Sequence, residues 1–299
     1  MKRHGVKLAG VEFANPVLAA SGTWGFGLRF RSASDRLGGV VTKGITLEER
    51  AGNPPPRIWE FPGGILNSVG LENPGLERFR SEILPRMARL KTRVIVNLAG
   101  SKAGDYPALV EALEAEKVDG YELNLSCPNV AEGGVGFGQD ARTVEKVAAA
   151  CRKKTKRPLV VKLTGNFVDP AETAQAAEAG GADGVTVLNT LFGLALDRDG
   201  RPFLGARTGG MSGPALKPFA LYCVDRVAAA VSVPVIGCGG IMSGRDALDF
   251  LSAGASLVQV GTASLVDPDA PVRVWKELRS LCRGFGSWEE IVGRARRTG

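Results

Sequence analysis

One histidine, His4, is all that the 299 residues contain. That scarcity removes most zinc sites, Cys–His nucleophile pairs and Ser-His-Asp triads together, since each needs an imidazole at the reacting atoms. Any base used here is another side chain. The five cysteines (127, 151, 223, 238 and 282) are odd in number and include no C-x-x-C pair. They do not form a disulfide framework, and a cytoplasmic location is expected. No apolar run approaches the roughly 18 residues that a membrane helix requires. The start "MKRHGVKLAGVEFANPVLAA" is basic, yet Glu12, Asn15 and Pro16 interrupt the apolar stretch of a secretory signal, so export is not expected. The net charge is +7, part of it in tails such as "GRARRTG", and no aromatic residues interleave the basic ones. An anionic small-molecule ligand explains that balance better than nucleic acid does.

What the chain does have is a repeating beat. Hydrophobic residues make up 44% of it, enough for a sizeable core. Val/Ile/Leu-rich runs recur at Val17–Ala20, Val40–Ile45, Val94–Leu98, Tyr121–Leu125, Leu159–Leu163, Val185–Leu188, Val233–Ile236 and Leu257–Val260. Between most of them lie stretches with apolar residues at three- and four-residue spacing, such as "NPGLERFRSEILPRMARLK", "AGDYPALVEALEAEK", "DPAETAQAAEAGG" and "SGRDALDFLSAGA". Eight continuously apolar strands alternating with helices predict an α/β fold, a (β/α)8 TIM barrel, over one domain spanning residues 1–299. An open doubly wound sheet would produce the same alternation. Against it, "GTWGFG" after the first strand has the wrong glycine spacing for a dinucleotide fold. Elaborated loops are expected after strands 2, 4 and 6. The two longest are "NPPPRIWEFPGGILNSVGLENPG" and "LFGLALDRDGRPFLGARTGGMSG", each a functional loop or a small added hairpin.

Barrel enzymes place their chemistry at the C-terminal ends of the strands. In order, those ends carry Ser21-Gly22, Thr42-Lys43-Gly44, Asn97, Asn124 with Cys127, Lys162, Asn189-Thr190, Gly239-Gly240 and Gly261-Thr262. One asparagine at a strand end is often a turn former. Eight converging positions point to a site. The glycines after strands seven and eight are either tight turns or a phosphate cradle of backbone N–H groups. Lys162, in "VVKLTG", either snorkels to the mouth or holds a positive charge beside an electron-accepting ring, and Lys43 carries the same two readings. Asn67, Asn124 and Asn189 offer the paired donors and acceptors that a planar imide demands. Cys127, in "NLSCPNV", is either a packed thiol or a base; the other four cysteines read as small buried hydrophobes.

The motifs "NLSCPNV", "VTKGITLEERAGNPPPR", "GILNSVGLENPG", "VIVNLAGS", "VLNTLFGLALD", "GGMSGPALKP", "IGCGGI" and "VQVGTA" run in order from about Val17 to Asp267. Together they resemble the class 1 dihydroorotate dehydrogenases, most nearly the class 1B catalytic subunits. The resemblance implies an FMN-containing barrel, one FMN per chain, that oxidises dihydroorotate to orotate in pyrimidine biosynthesis. It implies Cys127 as the base at C5 and Lys162 as the group that stabilises the reduced flavin. Substrate contacts would fall at Lys43, Asn67, Ser68, Val69, Gly70, Leu71, Asn124, Asn189 and Thr190. Flavin contacts would fall at Ser21, Lys43, Gly44, Asn97, Asn124, Lys162, Leu188, Gly213, Gly239, Gly240, Gly261 and Thr262. The glycine-rich segment Pro128–Gln139 would be a lid.

Class 1B members pass electrons to a second subunit carrying FAD and a 2Fe–2S cluster, with NAD+ as final acceptor, in a heterotetramer around a homodimer core. Class 1A members are homodimers that use fumarate. The absent dinucleotide fingerprint and the absent iron–sulfur cysteine spacing agree with a partner and leave fumarate open. The membrane-associating extension of class 2 is not expected, because the first strand begins by Val17. Two departures stand out: "TGN" at Thr164–Asn166, and Glu49 where a proline is more usual. Neither removes a catalytic side chain. A flavin barrel acting on another dihydropyrimidine lacks support from the "NSVGL" and "NT" motifs, and a non-redox phosphate-binding barrel would have no use for Cys127 with Lys162.

Overall fold

In the computed structural model, residues 5–125 and 136–297 are described. The strands are β1 (Val6–Leu8), β2 (Val11–Phe13), β3 (Val17–Ala19), β4 (Gly39–Val41), β5 (Ile58–Phe61), β6 (Gly64–Asn67) and β7 (Arg93–Leu98). They continue with β8 (Gly120–Asn124), β9 (Leu159–Lys162), β10 (Gly184–Val187), β11 (Leu191–Leu194), β12 (Thr208–Ser212), β13 (Val235–Cys238) and β14 (Ala255–Val260). Eight of them close into a barrel in the order β3-β4-β7-β8-β9-β10-β13-β14, every neighbouring pair parallel. This is the predicted (β/α)8 architecture. Barrel strands are buried on both faces, which is why they read as unbroken apolar runs rather than as an alternation.

The pleat divides those strands into two populations. Val17, Val40, Val94, Val96, Leu123, Val161, Val185 and Val258 belong to the large cluster that includes the helices' buried faces. Leu18, Val41, Ile95, Val160, Ile236 and Leu257 form a separate cluster with Leu8 and Phe13. The second set fills the barrel interior at its N-terminal end. Leu8 and Phe13 come from the antiparallel β1–β2 hairpin, which closes that end like a plug. No sequence signal singled this hairpin out, because its strands are three residues each and only one side of it is apolar.

Helix starts follow their capping chemistry. Asp140 accepts from the Thr143 N–H before the helix Ala141–Arg152, Asp169 accepts from Ala171 N–H before Pro170–Ala179, and Ser243 with Asp246 forms a capping box before Gly244–Ala253. Each such cap contributes about 1 kcal/mol. The segment expected as one helix over "NPGLERFRSEILPRMARLK" runs from Gly75 to Met87 with a π-helical turn at Phe79–Ile83. Pro85 follows that turn; it has no N–H to give and crowds the preceding carbonyls. Several strand limits also move, those of β4 and β13 for identifiable reasons. β13 begins at Val235 because Pro234 cannot join the ladder, and β4 ends at Val41, with Ile45 retaining a single bridge to Leu98.

The two long insertions meet. β5 and β6 from the first pair with β11 and β12 from the second, in a four-stranded antiparallel sheet ordered β11-β12-β6-β5. Asn67 lies opposite Gly210. Residues 128–135 of the loop after the fourth barrel strand fall outside the described residues, so the expected lid does so for most of its length. Among the described residues, no helix is long and apolar enough to cross a membrane.

Cys151, Cys223, Cys238 and Cys282 are all buried, as expected. Burial pushes the Cys151 thiol up to about 12 and the Cys223 and Cys282 thiols up to about 11. Two measurements check this packing. In a Cys127→Ser variant, the native protein should react negligibly with a thiol-specific disulfide reagent at pH 8, where thiols so shifted are almost wholly protonated, and should show four thiols once denatured. Phe13→Ala should cost about 3–5 kcal/mol in denaturant unfolding, the usual range for emptying a fully buried aromatic site. A loss below about 1 kcal/mol would mean that the hairpin is not a structural plug.

Candidate active site

Two residues beyond the apolar interior layer, the same strands change chemistry. Ile95 is followed at this spacing by Asn97, Val160 by Lys162, Ile236 by Cys238, Leu257 by Gln259, and Val41 by Lys43. Because side chains alternate along a strand, these residues share the inner face with their apolar predecessors. Glu122 of β8 and Thr186 of β10 complete a polar layer across the barrel. Glu122 is 1% exposed. Its Oε1 accepts from Asn97 Nδ2 at 2.7 Å, and its Oε2 accepts from Thr186 Oγ1 at 2.7 Å and from Gln259 Nε2 at 2.6 Å. A buried carboxylate without such donors would cost several kcal/mol.

Lys162 is 5% exposed and makes no hydrogen bond or ion pair with another described residue. It is registered between Asn124 on β8 and Thr186 on β10. The Cys238 thiol lies within the fields of both charges: burial raises its pKa most, Lys162 lowers it, and Glu122 raises it. The layer therefore contains one buried carboxylate and one buried ammonium. It also contains two buried amide oxygens without a hydrogen-bond partner, Asn97 Oδ1 and Gln259 Oε1. Asn97 Oδ1 faces Gly44, where an added Cβ would stand 3.0 Å from it. That glycine keeps the oxygen uncovered.

Above this layer the expected substrate residues join in a relay. Asn189 Nδ2 donates to Asn124 Oδ1 at 3.2 Å, and the Thr190 N–H donates to Asn189 Oδ1 at 2.8 Å. Thr190 packs so closely on Gly210 that a Cβ there would lie 2.1 Å from Thr190 Oγ1, and Gly210 O accepts from Asn67 Nδ2 at 3.2 Å. Asn166 supports the relay: its Nδ2 donates to Thr190 O at 2.9 Å, and its Oδ1 accepts from Phe192 N–H at 2.8 Å. The run 67–71 is held by its own framework. Ser68 N–H donates to Arg57 O, Asn53 Nδ2 donates to Ser68 Oγ, Asn53 N–H donates to Val69 O, and Asn73 Nδ2 donates to Leu71 O. Gly70 and Leu71 have φ of +73° and +56°. Lys43 pairs with Glu72 at 3.7 Å, and Glu72 also bonds Arg57. The Arg57 hydrogen bond, then the Lys43 charge, holds the Glu72 carboxyl below the usual carboxylate range.

The glycine positions gather beyond the ends of β12, β13 and β14. Gly213, Gly239 and Gly240 have φ of +114°, +133° and +73°, and a Cβ on Gly240 would lie 2.9 Å from Gly213 O. Thr262 Oγ1 donates to Ser212 Oγ at 2.9 Å, which joins the end of β14 to the residue before Gly213. Gly261 lies against Ala20 and Thr23, beside Ser21. Leu188 is buried; its N–H donates to Cys238 O at 2.9 Å, and the Asn189 N–H donates to Leu163 O at 2.9 Å. Cys127 lies outside the described residues. Flanking that segment, Gly138 N–H donates to Leu125 O at 2.8 Å, and Gln139 Nε2 donates to Asn166 O at 3.1 Å.

Cys127 aside, the strand-end residues named from sequence thus lie at one end of the barrel. Glu122, Thr186 and Gln259 were not among them. Their signal was present as polar residues inside otherwise apolar strands, "YELNL", "VTVL" and "VQVG".

Comparison with known proteins agrees over almost the whole chain. The family model described as dihydroorotate dehydrogenase matches residues 4–282. A protein of Pelobacter propionicus is 49% identical over 97% of this chain and 95% of its own length. One of Bacteroides fragilis is 47% identical over 96% and 97%, and one of Alkaliphilus metalliredigens is 51% identical over 90% of each. All three bear the name dihydroorotate dehydrogenase B (NAD(+)), catalytic subunit. Matched through its barrel strands and at this level of identity, the chain belongs to the dihydroorotate dehydrogenase family.

Proposed function

We propose that the chain oxidises (S)-dihydroorotate to orotate in de novo pyrimidine (UMP) biosynthesis, with one FMN bound at the barrel mouth and electrons leaving through a partner subunit to NAD+. The observation that carries this reading is the juxtaposition, in one buried layer, of the Lys162 ammonium and the unpartnered Asn97 Oδ1, directly beneath the Asn124–Asn189 amide pair. The name of the relatives supplies the substrate and the final acceptor.

The residues present fit FMN. Asn97 Oδ1 is a buried acceptor in need of an N–H, which a flavin ring has. Lys162 supplies positive charge, and Ser21, Lys43, Gly44, Asn124 and Leu188 line the approach. Gly213, Gly239, Gly240, Gly261 and Thr262 supply the close backbone approach that a phosphate requires. Bound there, FMN supplies the two-electron acceptor that no side chain of this sequence can be.

The chain's own residues do the rest. Asn67, Asn124 and Asn189 present donors and acceptors to the edge of the dihydropyrimidine ring, with Ser68 to Leu71 and Thr190 closing around it and Lys43 meeting its carboxylate. Holding the ring in one orientation is a large share of the rate. Cys127 takes the proton from C5. Lys162 favours the arrival of negative charge in the layer beneath. Residues 1–299 act as one domain in this reading. The partner carries FAD and a 2Fe–2S cluster, in a heterotetramer built on a homodimer of this chain in the cytoplasm.

Two experiments test it. Cys127→Ser should retain bound flavin and lose most turnover near neutral pH, since a serine hydroxyl is far harder to deprotonate than a thiol; unaltered turnover would sink the assignment of the base. In an anaerobic titration of the purified chain with dihydroorotate, the visible flavin band should bleach, and neither fumarate nor NAD+ should restore it until the partner subunit is added. Recovery with fumarate would make this a fumarate-dependent enzyme, and a yellow protein that does not bleach would refute the substrate.

A further inference from the structure

Glu122 has no part in the chemistry described so far, yet it is the most heavily hydrogen-bonded side chain of the buried layer. We propose that Glu122 is a positioning residue for Asn97: its carboxylate captures the NH2 end of the Asn97 amide and so turns Oδ1 toward the bound cofactor. This rests on the reading that FMN binds at this mouth.

The physical basis is the near-symmetry of an amide. Rotated by half a turn, Asn97 would fit the same space while presenting a donor in place of an acceptor. An ionised carboxylate accepts and cannot donate, so the 2.7 Å contact between Glu122 Oε1 and Asn97 Nδ2 is compatible with one orientation. The backbone reinforces it, because Asn97 N–H donates to Thr42 Oγ1 at 3.1 Å and holds the residue's place in β7. The consequence is visible on the far side of the amide. Asn97 Oδ1 is buried and unpartnered, against a glycine that leaves it uncovered. An oxygen left in that state lowers stability unless a ligand N–H arrives to meet it.

Gln259 separates orientation from charge. Its Nε2 donates to Glu122 Oε2 while its Oε1 is unpartnered. In a Glu122→Gln variant, the new amide oxygen can still accept from Asn97 Nδ2. Its NH2 can donate to Thr186 Oγ1 and to Gln259 Oε1 once the Gln259 amide turns over. Asn97 then keeps its orientation without the charge, and the turned Gln259 amide places its NH2 where its unpartnered oxygen stood. A Glu122→Met variant offers Asn97 no acceptor at all.

The test is FMN affinity, measured by flavin fluorescence as the flavin-stripped full-length chain is titrated with FMN, with circular dichroism checking each fold. Glu122→Met and Asn97→Ala should each weaken binding about tenfold, the equivalent of one net hydrogen bond. The double variant should bind within about twofold of Asn97→Ala, since the carboxylate acts through that amide. Glu122→Gln should bind within about threefold of wild type. Losses that multiply in the double variant would overturn the proposal, and so would a tenfold loss in Glu122→Gln, which would make charge and not orientation the cause. A wild-type chain that binds no FMN would overturn the underlying reading of the site; wild-type binding that Glu122→Met leaves intact would overturn this inference alone.

Discussion

The carboxylate of Glu122, enclosed in a closed barrel, is the constraint on which the mouth depends. Water cannot reach it, so its lone pairs must be met by protein donors, and three other strands, one adjacent and two not, supply them through Asn97, Thr186 and Gln259. Those bonds tie β7, β8, β10 and β14 together by side chains, across the interior, where the backbone ladder joins only adjacent strands. The barrel is thereby held at one width at the level where its polar residues begin. A site built on such strands is more exact than one built on loops.

The step from apolar plug to polar layer follows from the period of a strand. Leu8 and Phe13 seal the bottom against Leu18, Val41, Ile95, Val160, Ile236 and Leu257. Two residues later the inner face carries Asn97, Lys162, Cys238 and Gln259. The apolar layer excludes water from below, which strengthens every electrostatic interaction in the layer above it. It also makes an unsatisfied group there costly. Asn97 Oδ1 is left open on the side where the proposed cofactor would meet it.

Much of this was legible in the sequence, for a physical reason. A strand buried on both faces must be continuously apolar, so its end is marked by the first polar residue or glycine, and Lys43, Asn97, Asn124, Lys162 and Asn189 announced themselves in that way. Glu122, Thr186 and Gln259 interrupt their apolar strands in the same way, but each is followed within three residues by a second polar residue or glycine, Asn124, Asn189 or Gly261, that marks the strand end instead. The plug hairpin was hidden because strands of three residues leave no period to detect. The sheet that unites the two insertions was hidden because its pairing of Asn67 with Gly210 joins positions 143 residues apart, and no local pattern encodes a partner that distant. Cys127 was named from its motif and lies outside the described residues.

The mouth has two origins, and they divide its work. The positions proposed for the cofactor sit on barrel strands or directly at their ends, where the ladder and the Glu122 bonds hold them. Most of those proposed for the substrate, Asn67 to Leu71 and Thr190, sit on or against the added sheet. That sheet is joined to the barrel by the Asn189–Thr190 turn, by the Thr262–Ser212 hydrogen bond and by the Asn166 side chain that grips both Thr190 O and Phe192 N–H. Asn166 belongs to the "TGN" run that departs from the family pattern, and its asparagine retains both of these hydrogen bonds. The departure at Thr164 is absorbed as well, since its hydroxyl accepts from Asn166 N–H and Nδ2 at 3.0 Å. In the proposed reading, a barrel that holds the electron acceptor and a separate sheet that reads the ring would allow the substrate pocket to change while the redox site beneath it stays as it is. The retention of Asn166 through an altered run agrees with that division, because it is one of the side chains that tie the sheet to the barrel.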